Sequence, residues 1–245
     1  MLAAVSLDDQ LIASVQQGDA VAVAKLLARG ASPNAVDEDD EPAWVTAIAN
    51  DHVTIIDALL RAGCDIDPLQ ALHEVRGLAM LRRLLAHGTD INARESDGST
   101  ALYLMRSERL VEAFLEAGAD PNLATANHET PLTFHASWGN LALVELLLRH
   151  GADPNYIDPE VHFSVLDYAA SWGHRNIVES LLDEGADLHR RDNGVSALTH
   201  ALRGGHLGVA ELLVAKGATL GDYDLEALDS LAARIAKLRA GDSKP

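Results

Sequence analysis

The sequence is poor in what a disulfide framework or a catalytic centre would need. Cys64 is its single cysteine. No intrachain disulfide can form, and this usage suits a reducing compartment, so a cytoplasmic location is expected. Aromatic residues make up 4% of the chain. No apolar run approaches the ~18 residues of a membrane span. The opening stretch, MLAAVSLDDQLIASVQQGD, has no basic region, and its apolar run stops at Asp8 and Asp9, so no secretory signal is expected. Positive charge is also scarce, with 19 Lys and Arg against 37 Asp and Glu and a net charge of −18. Such a surface repels nucleic acid and anionic membrane, and a charge-steered partner should be basic. There is no G-x-S-x-G, Walker A, G-x-G-x-x-G or H-E-x-x-H pattern. No histidine pair joins a cysteine at zinc spacing. No catalytic residue, cofactor or metal is therefore expected.

What the chain does have is apolar bulk and repetition. Apolar residues are 48% of it, mostly Ala, Leu and Val, which favours helices packed closely through small side chains. A segment resembling LLxxGADxN recurs at Gly30, Gly63, Gly88, Gly118, Gly151, Gly185 and Gly217, at separations of 25 to 34 residues. A second helix start precedes several copies, at Thr130, Ser164 and Ser196. Leu143, Val144, Leu147 and Leu148 recur at helical spacing, so one helix face is apolar. Gly151 supplies the left-handed residue that ends that helix. Thr130 can cap the helix before it, with Pro131 in its first turn. Neither helix can bury its apolar face alone, so the units must stack.

These residues resemble ankyrin repeats. TPLTFHASWGNLALVELLLRHGADPN (130–155) is close to the family pattern, with Thr133 where histidine is usual, and VLDYAASWGHRNIVESLLDEGAD (165–187) is nearly as close. The resemblance covers about residues 7–220 and seven spaced copies. It implies an all-α solenoid of L-shaped helix pairs with projecting β-hairpin fingers and a concave groove. The chain is expected to be one domain, 1–245, with a capping repeat at 1–40, repeats two to seven at 41–220, and a C-terminal cap helix and tail at 221–245. Leu225, Leu228, Leu231, Ile235 and Leu238 make one stripe on that helix, which is read as a cap, a partner-binding amphipathic helix being the alternative. Two departures stand out. Gly63 to Leu72 is nine residues where Gly118 to Leu132 is fourteen, so the finger between repeats two and three should be collapsed. Leu72 to Gly88 and Leu102 to Gly118 are both sixteen where Leu132 to Gly151 is nineteen. Repeats three and four should therefore each lack about one helical turn.

The resemblance also assigns individual residues. His174 and His206 hold the turn position, where histidine bonds to backbone, and His87 and His150 meet helix C-termini. Trp44, Tyr103 and Cys64 are expected in the core. Trp138 and Trp172 each precede an inter-helix glycine, a position outside the packing pattern, so they should lie side by side in the groove, about 10 Å apart as neighbouring helices are. They are candidate binding anchors, the alternative being rings laid flat to shield the stack. Tyr156, on the next finger, is a candidate to join them. Arg190 and Arg191 either clamp a partner's carboxylate or pair with local acids. Asp37, Glu38, Asp39 and Asp40 lie in DEDDE, which lacks the glycine and distal glutamate of a calcium loop. It is either a solvated finger tip or an acidic contact for a basic partner. The function this implies is non-catalytic protein binding by a monomer, as inhibitor, immunity protein or adaptor. A regulatory subunit of a multi-chain enzyme remains open, and an enzyme built on the repeats lacks every catalytic pattern sought.

Overall fold

A computed structural model describes residues 5–230. Its contacts divide the chain into two units, one holding everything up to Ser96 with Glu116–Ala119, the other Asp97–Leu115 and everything from Asp120 onward. The first unit contains α1 (Leu7–Gln16), α2 (Ala20–Ala28), α3 (Ala43–Ala49), α4 (Val53–Arg61), α5 (Pro68–Glu74) and α6 (Leu78–Ala86). In the second are α7 (Ala101–Leu104), α9 (Pro131–Trp138), α10 (Leu141–Arg149), α11 (Val165–Ser171), α12 (Arg175–Asp183), α13 (Ala197–Gly204) and α14 (Leu207–Ala215), with α8 (Glu108–Glu116) ending at the boundary. Residues 222–230 are helical as well. Of the expected cap-helix stripe, Leu225 and Leu228 are exposed, the buried residues there being Asp224 and Ala227, and Leu231, Ile235 and Leu238 lie outside the described residues.

Within each unit the helices form two rows. Odd-numbered helices pack on odd ones, α1 on α3 on α5 and α7 on α9 on α11 on α13, and α2–α4–α6 and α10–α12–α14 form the second row. This is the all-α solenoid of stacked helix pairs. Among the described residues there is no strand. Fingers are pinched by single bridges, among them the antiparallel ones from Val36 to Pro42, Ile157 to Ser164 and Asp192 to Val195. No helix among the described residues is long and apolar enough to cross a membrane.

Local chemistry explains the helix ends. Thr130 caps α9 by accepting from the Thr133 amide, and the Thr133 hydroxyl accepts from the Thr130 amide at 2.8 Å. Thr133 therefore completes a reciprocal box where the family places histidine. Ser164 with Asp167 and Ser196 with Thr199 repeat the arrangement on α11 and α13. The core is aliphatic. Val144, Leu147, Val178, Leu181 and Leu213 are almost fully enclosed, and each contributes roughly 1.5–3 kcal/mol by burial. Trp44 is in the core at 3% exposure, and Tyr103 and Cys64 are buried too. Burial and the neighbouring Asp65 push the Cys64 thiol up to about 11, which keeps it protonated and inert.

An asparagine ladder sets the spacing between repeats. Asn122 Oδ1 accepts from the Asp153 amide at 2.8 Å while its Nδ2 donates to the Gly151 carbonyl at 3.0 Å. Asn155 grips Asp187 and Gly185 in the same way, at 2.8 and 3.0 Å. In the first unit Asn34 accepts from Asp65 at 2.9 Å. The asparagines that close these segments thus satisfy the backbone of the next loop, which no helix or sheet bond reaches.

The finger between repeats two and three is indeed collapsed, because α4 ends at Arg61 and α5 starts at Pro68. The expected loss of a turn needs a correction for repeat three. Asp67 caps α5 and Pro68 is its first residue, so Leu69, not Leu72, matches Leu132. The outer helix then starts ten residues after the inner one, Pro68 to Leu78, as from Pro131 to Leu141. Repeat three is shortened only in its finger. Repeat four has lost the turn, since Ala101 to Glu108 is seven residues and α7 has four.

Gly139 ends α9 at φ 78°, and a Cβ there would come within 2.7 Å of the His174 ring. Gly30 is also left-handed, at φ 95°, but has open space around it. Gly30→Ala should cost about 1 kcal/mol from backbone strain alone. Gly139→Ala should cost more, about 2 kcal/mol or above, because the ring must also move. Equal shifts in urea midpoint for the two variants would show that the close approach of His174 contributes nothing.

Candidate functional site

Trp138 is the last residue of α9, and Trp172 is the capping residue just past α11. They are the most exposed large apolar side chains among the described residues of the second unit, at 71% and 63%. The residue before each is fixed from the next repeat. His174 Nε2 donates to the Ser137 carbonyl at 3.0 Å, and His206 Nε2 donates to the Ser171 carbonyl at 2.9 Å. These bonds satisfy free carbonyls at the helix ends and hold the backbone beneath both indoles.

The two rings differ in their surroundings. Trp138 stacks on Phe134, one turn earlier on α9, with centroids 5.8 Å apart and planes at 26°. Phe134 in turn meets the edge of Tyr103 at 5.0 Å and lies under the Arg106 guanidinium at 4.3 Å. Among the described residues Trp172 makes no ring contact, so the two indoles do not stack on each other as adjacent rings sharing one contact would. α9 and α11 themselves pack side by side.

Other candidates are committed within the fold. Tyr156 donates its hydroxyl to the His128 carbonyl at 2.8 Å, tying two fingers together. The arginine pair takes the local-acid alternative. Arg190 meets Asp167 at 3.1 Å and the His162 carbonyl at 2.6 Å. Arg191 meets Asp224 at 3.1 Å and also donates to the Gly194 and Thr219 carbonyls. Asp167 and Asp224 are both buried and hydrogen-bonded to capping residues. Arg190 staples its finger back onto α11 and Arg191 staples it forward onto the helix at 222–230. A partner's carboxylate would have to displace both pairs, so these two leave the contact set. In the acidic finger, Asp37 Oδ1 accepts from the amides of Asp39 and Glu41, at 2.9 Å each, and Asp40 turns the chain at φ 62°. Asp37 is thus a half-buried turn residue, while Glu38, Asp39, Asp40 and the following Glu41 project into solvent.

Sequence reasoning passed over the layer under Trp138. His135 is 1% exposed and meets Asn140 Nδ2 at 3.2 Å. The equivalent residues in the next two repeats are Ala169 and Ala201, so an aligned column would have exposed it. Burial, and secondarily the Arg106 charge, lowers its pKa to about 4. The folded chain keeps His135 neutral through the window in which the unfolded chain binds a proton near 6.5. Its contribution is therefore intact above pH 6.5 and lost as pH falls toward 4, by about 3 kcal/mol in all. Urea unfolding across that window should show a shallower pH dependence for His135→Ala than for the wild type. Parallel curves would remove His135 from the account.

A family model described as ankyrin repeats in three copies matches residues 69–158, 101–192 and 161–229. The chain is 33% identical over 159 residues to the NF-kappa-B p105 subunit of Gallus gallus, covering 58% of this chain and 16% of that protein. It is 37% identical over 89 residues to ankyrin repeat and SOCS box protein 16 of Mus musculus, covering 32% and 20%. It is 26% identical over 128 residues to a protein named as a serine/threonine-protein kinase of Dictyostelium discoideum, covering 50% and 15%. The chain therefore spans a fifth or less of the length of these relatives.

Proposed function

The chain belongs to the ankyrin-repeat family, and we infer that it is a non-catalytic protein-binding module that acts as an inhibitor, immunity protein or adaptor. Ankyrin repeats generally mediate protein–protein interaction. The observation that carries the reading for this chain is the pair of exposed indoles, 71% and 63%, in a sequence with 4% aromatic residues. Tryptophans dominate interface energetics because one side chain removes a large apolar area from water with few rotors to freeze. Both sit at equivalent ends of neighbouring helices, on backbone held by a histidine of the next repeat. The net charge of −18 supports a partner whose approaching surface is basic, drawn in part by the finger tip at Glu38, Asp39 and Asp40.

Trp172→Ala should leave the melting temperature nearly unchanged, since the ring has no stacking partner, and weaken partner binding by about 2 kcal/mol. Trp138→Ala should weaken binding similarly but also lower stability by about 1 kcal/mol through the lost Phe134 stack. Calorimetry with the isolated partner and thermal melts measure both quantities. Early melting with unchanged affinity in both variants would make the indoles scaffold. Replacing Glu38, Asp39 and Asp40 with Gln or Asn, with Asp37 kept for its turn bonds, should slow association more than it speeds dissociation. Association rates indifferent to salt would argue against an acidic docking surface.

A further inference from the structure

We propose that Asn193 is a site of spontaneous covalent modification, where the side-chain amide is lost by ring closure onto Gly194 and the isoaspartate that results uncouples the helix at 222–230 from its finger. The starting observation is a reactive pair that the fold itself demands. Asn193 and Gly194 form the tip of the finger between α12 and α13, next to Arg190 and Arg191. Asp192 and Val195 exchange both backbone hydrogen bonds, each at 2.9 Å, so the two residues between them make a two-residue hairpin turn. Both are left-handed, Asn193 at φ 49° and Gly194 at φ 87°. Asparagine followed by glycine enters such a turn with least strain. Gly194 is also fixed by space, because a Cβ there would come within 2.8 Å of the Tyr223 ring. No bulkier residue can stand behind Asn193 to shield it.

This is the one Asn-Gly pair in the chain, and every other asparagine precedes a residue with a side chain. A side chain on the following residue crowds the approach of its nitrogen to the asparagine Cγ, and glycine has none. The ladder asparagines Asn122 and Asn155 are held in addition by bonds to the next loop. Asn193 is exposed, and its side chain makes a single long bond, Nδ2 to Asp192 Oδ2 at 3.4 Å. Among the described residues the Gly194 amide donates to nothing. The two groups that must react are therefore both uncommitted.

The chemistry needs only water. Hydroxide takes the Gly194 amide proton, and the nitrogen attacks Cγ of Asn193. A nitrogen–Cγ bond forms, the Cγ–Nδ2 bond breaks, and the leaving nitrogen takes a proton from water and departs as ammonia, which regenerates hydroxide. Water then opens the cyclic imide. Attack at Cγ restores the main chain with aspartate at 193. Attack at the main-chain carbonyl leaves residues 193 and 194 joined through Cγ, as isoaspartate, with the α-carboxyl free. Either product carries a carboxylate where a neutral amide stood.

The two products differ in what they do to the finger. Isoaspartate puts one more methylene into the main chain of a turn only two residues long, so Asp192 and Val195 cannot keep both bonds. Gly194 is also where the finger meets the next element. Arg191 donates to the Gly194 carbonyl at 3.0 Å and pairs with Asp224 at 3.1 Å, and Tyr223 lies against Gly194. Distortion at 194 reaches the helix at 222–230 through both contacts. Aspartate adds a charge beside Asp192 but keeps the turn.

The test is to age the full chain and a synthetic peptide of residues 192–203 side by side, at neutral pH and body temperature. Tryptic mass spectrometry reads the amide-to-acid mass gain, and fragmentation separates aspartate from isoaspartate. Asn193 should convert within about tenfold of the peptide's rate, since a hairpin closed by two bonds at an exposed tip opens locally, and the other asparagines should lag by a further factor of about ten. In the isoaspartate fraction, amide hydrogen exchange across 222–230 should be about tenfold faster than in the unaged chain. Freshly made Asn193→Asp, which has the charge without the extra methylene, should exchange within about twofold of wild type. Asn193 still an amide when the peptide is fully converted would overturn the proposal. So would an isoaspartate fraction that exchanges like the unaged chain, or Asn193→Asp exchanging as fast as that fraction.

Discussion

The exposed face of the second unit depends on one hydrogen bond, made twice. A turn histidine donates Nε2 to a carbonyl at the inner-helix end of the repeat before it, His174 to Ser137 and His206 to Ser171. That bond brings the ring against Gly139 and Gly173, where no Cβ fits and the backbone is left-handed. Glycine at the turn is thus required twice over, by conformation and by space. The tryptophans occupy the positions between the bonded carbonyl and the glycine. A side chain there cannot fold back into the stack, because the histidine of the next repeat holds the backbone beneath it. Exposure of two large rings is therefore a product of the packing that stabilises the repeat.

Charge is arranged by the same economy. Much of the acidity is consumed where backbone or cation needs it. Asp19 and Asp67 cap helices, Asp37 closes a finger, and Asp167 and Asp224 lie buried between capping hydroxyls and arginines. A helix N-terminus favours a carboxylate, and every repeat supplies two such ends. Net charge is consequently a poor map of any one face. The turn edge carries both the inner-helix C-termini and the outer-helix N-termini, so the helix dipoles there favour neither sign of charge. In the first unit Asp19, Asp51 and Glu74 still stand on that edge; in the second, Arg106, Arg175 and Arg203 do.

The repeat period and the helix ends were legible because each depends on residues within one repeat, and the exposed positions of Trp138 and Trp172 because each immediately precedes the inter-helix glycine. Thr130 and Pro131 start a helix wherever they stand, and Gly151 ends one. Features that depend on two repeats at once were not legible. Arg190 and Arg191 look like free cations in the sequence, and only the fold brings Asp167 and Asp224 to them from 23 and 33 positions away. The ladder asparagines Asn34, Asn122 and Asn155 were visible in their segments, but their donors and acceptors belong to the following loop. Repeat three was anchored three residues too late because Leu69 and Leu72 fit the same apolar pattern. The Asp67–Pro68 start signal separates them once capping is weighed above periodicity.

Repeat four shows how an irregularity can build a surface. Its inner helix is four residues long, and the chain leaves it at Met105 in an extended conformation. In a full-length inner helix residue 106 would fall in the second turn. Released from the helix, Arg106 instead donates to the carbonyls of the shortened end and lays its guanidinium over Phe134. Phe134 then has a cation near its ring and Trp138 stacked upon it. The same charge also helps keep buried His135 neutral. One missing helical turn thus places a cation over the ring on which Trp138 stacks.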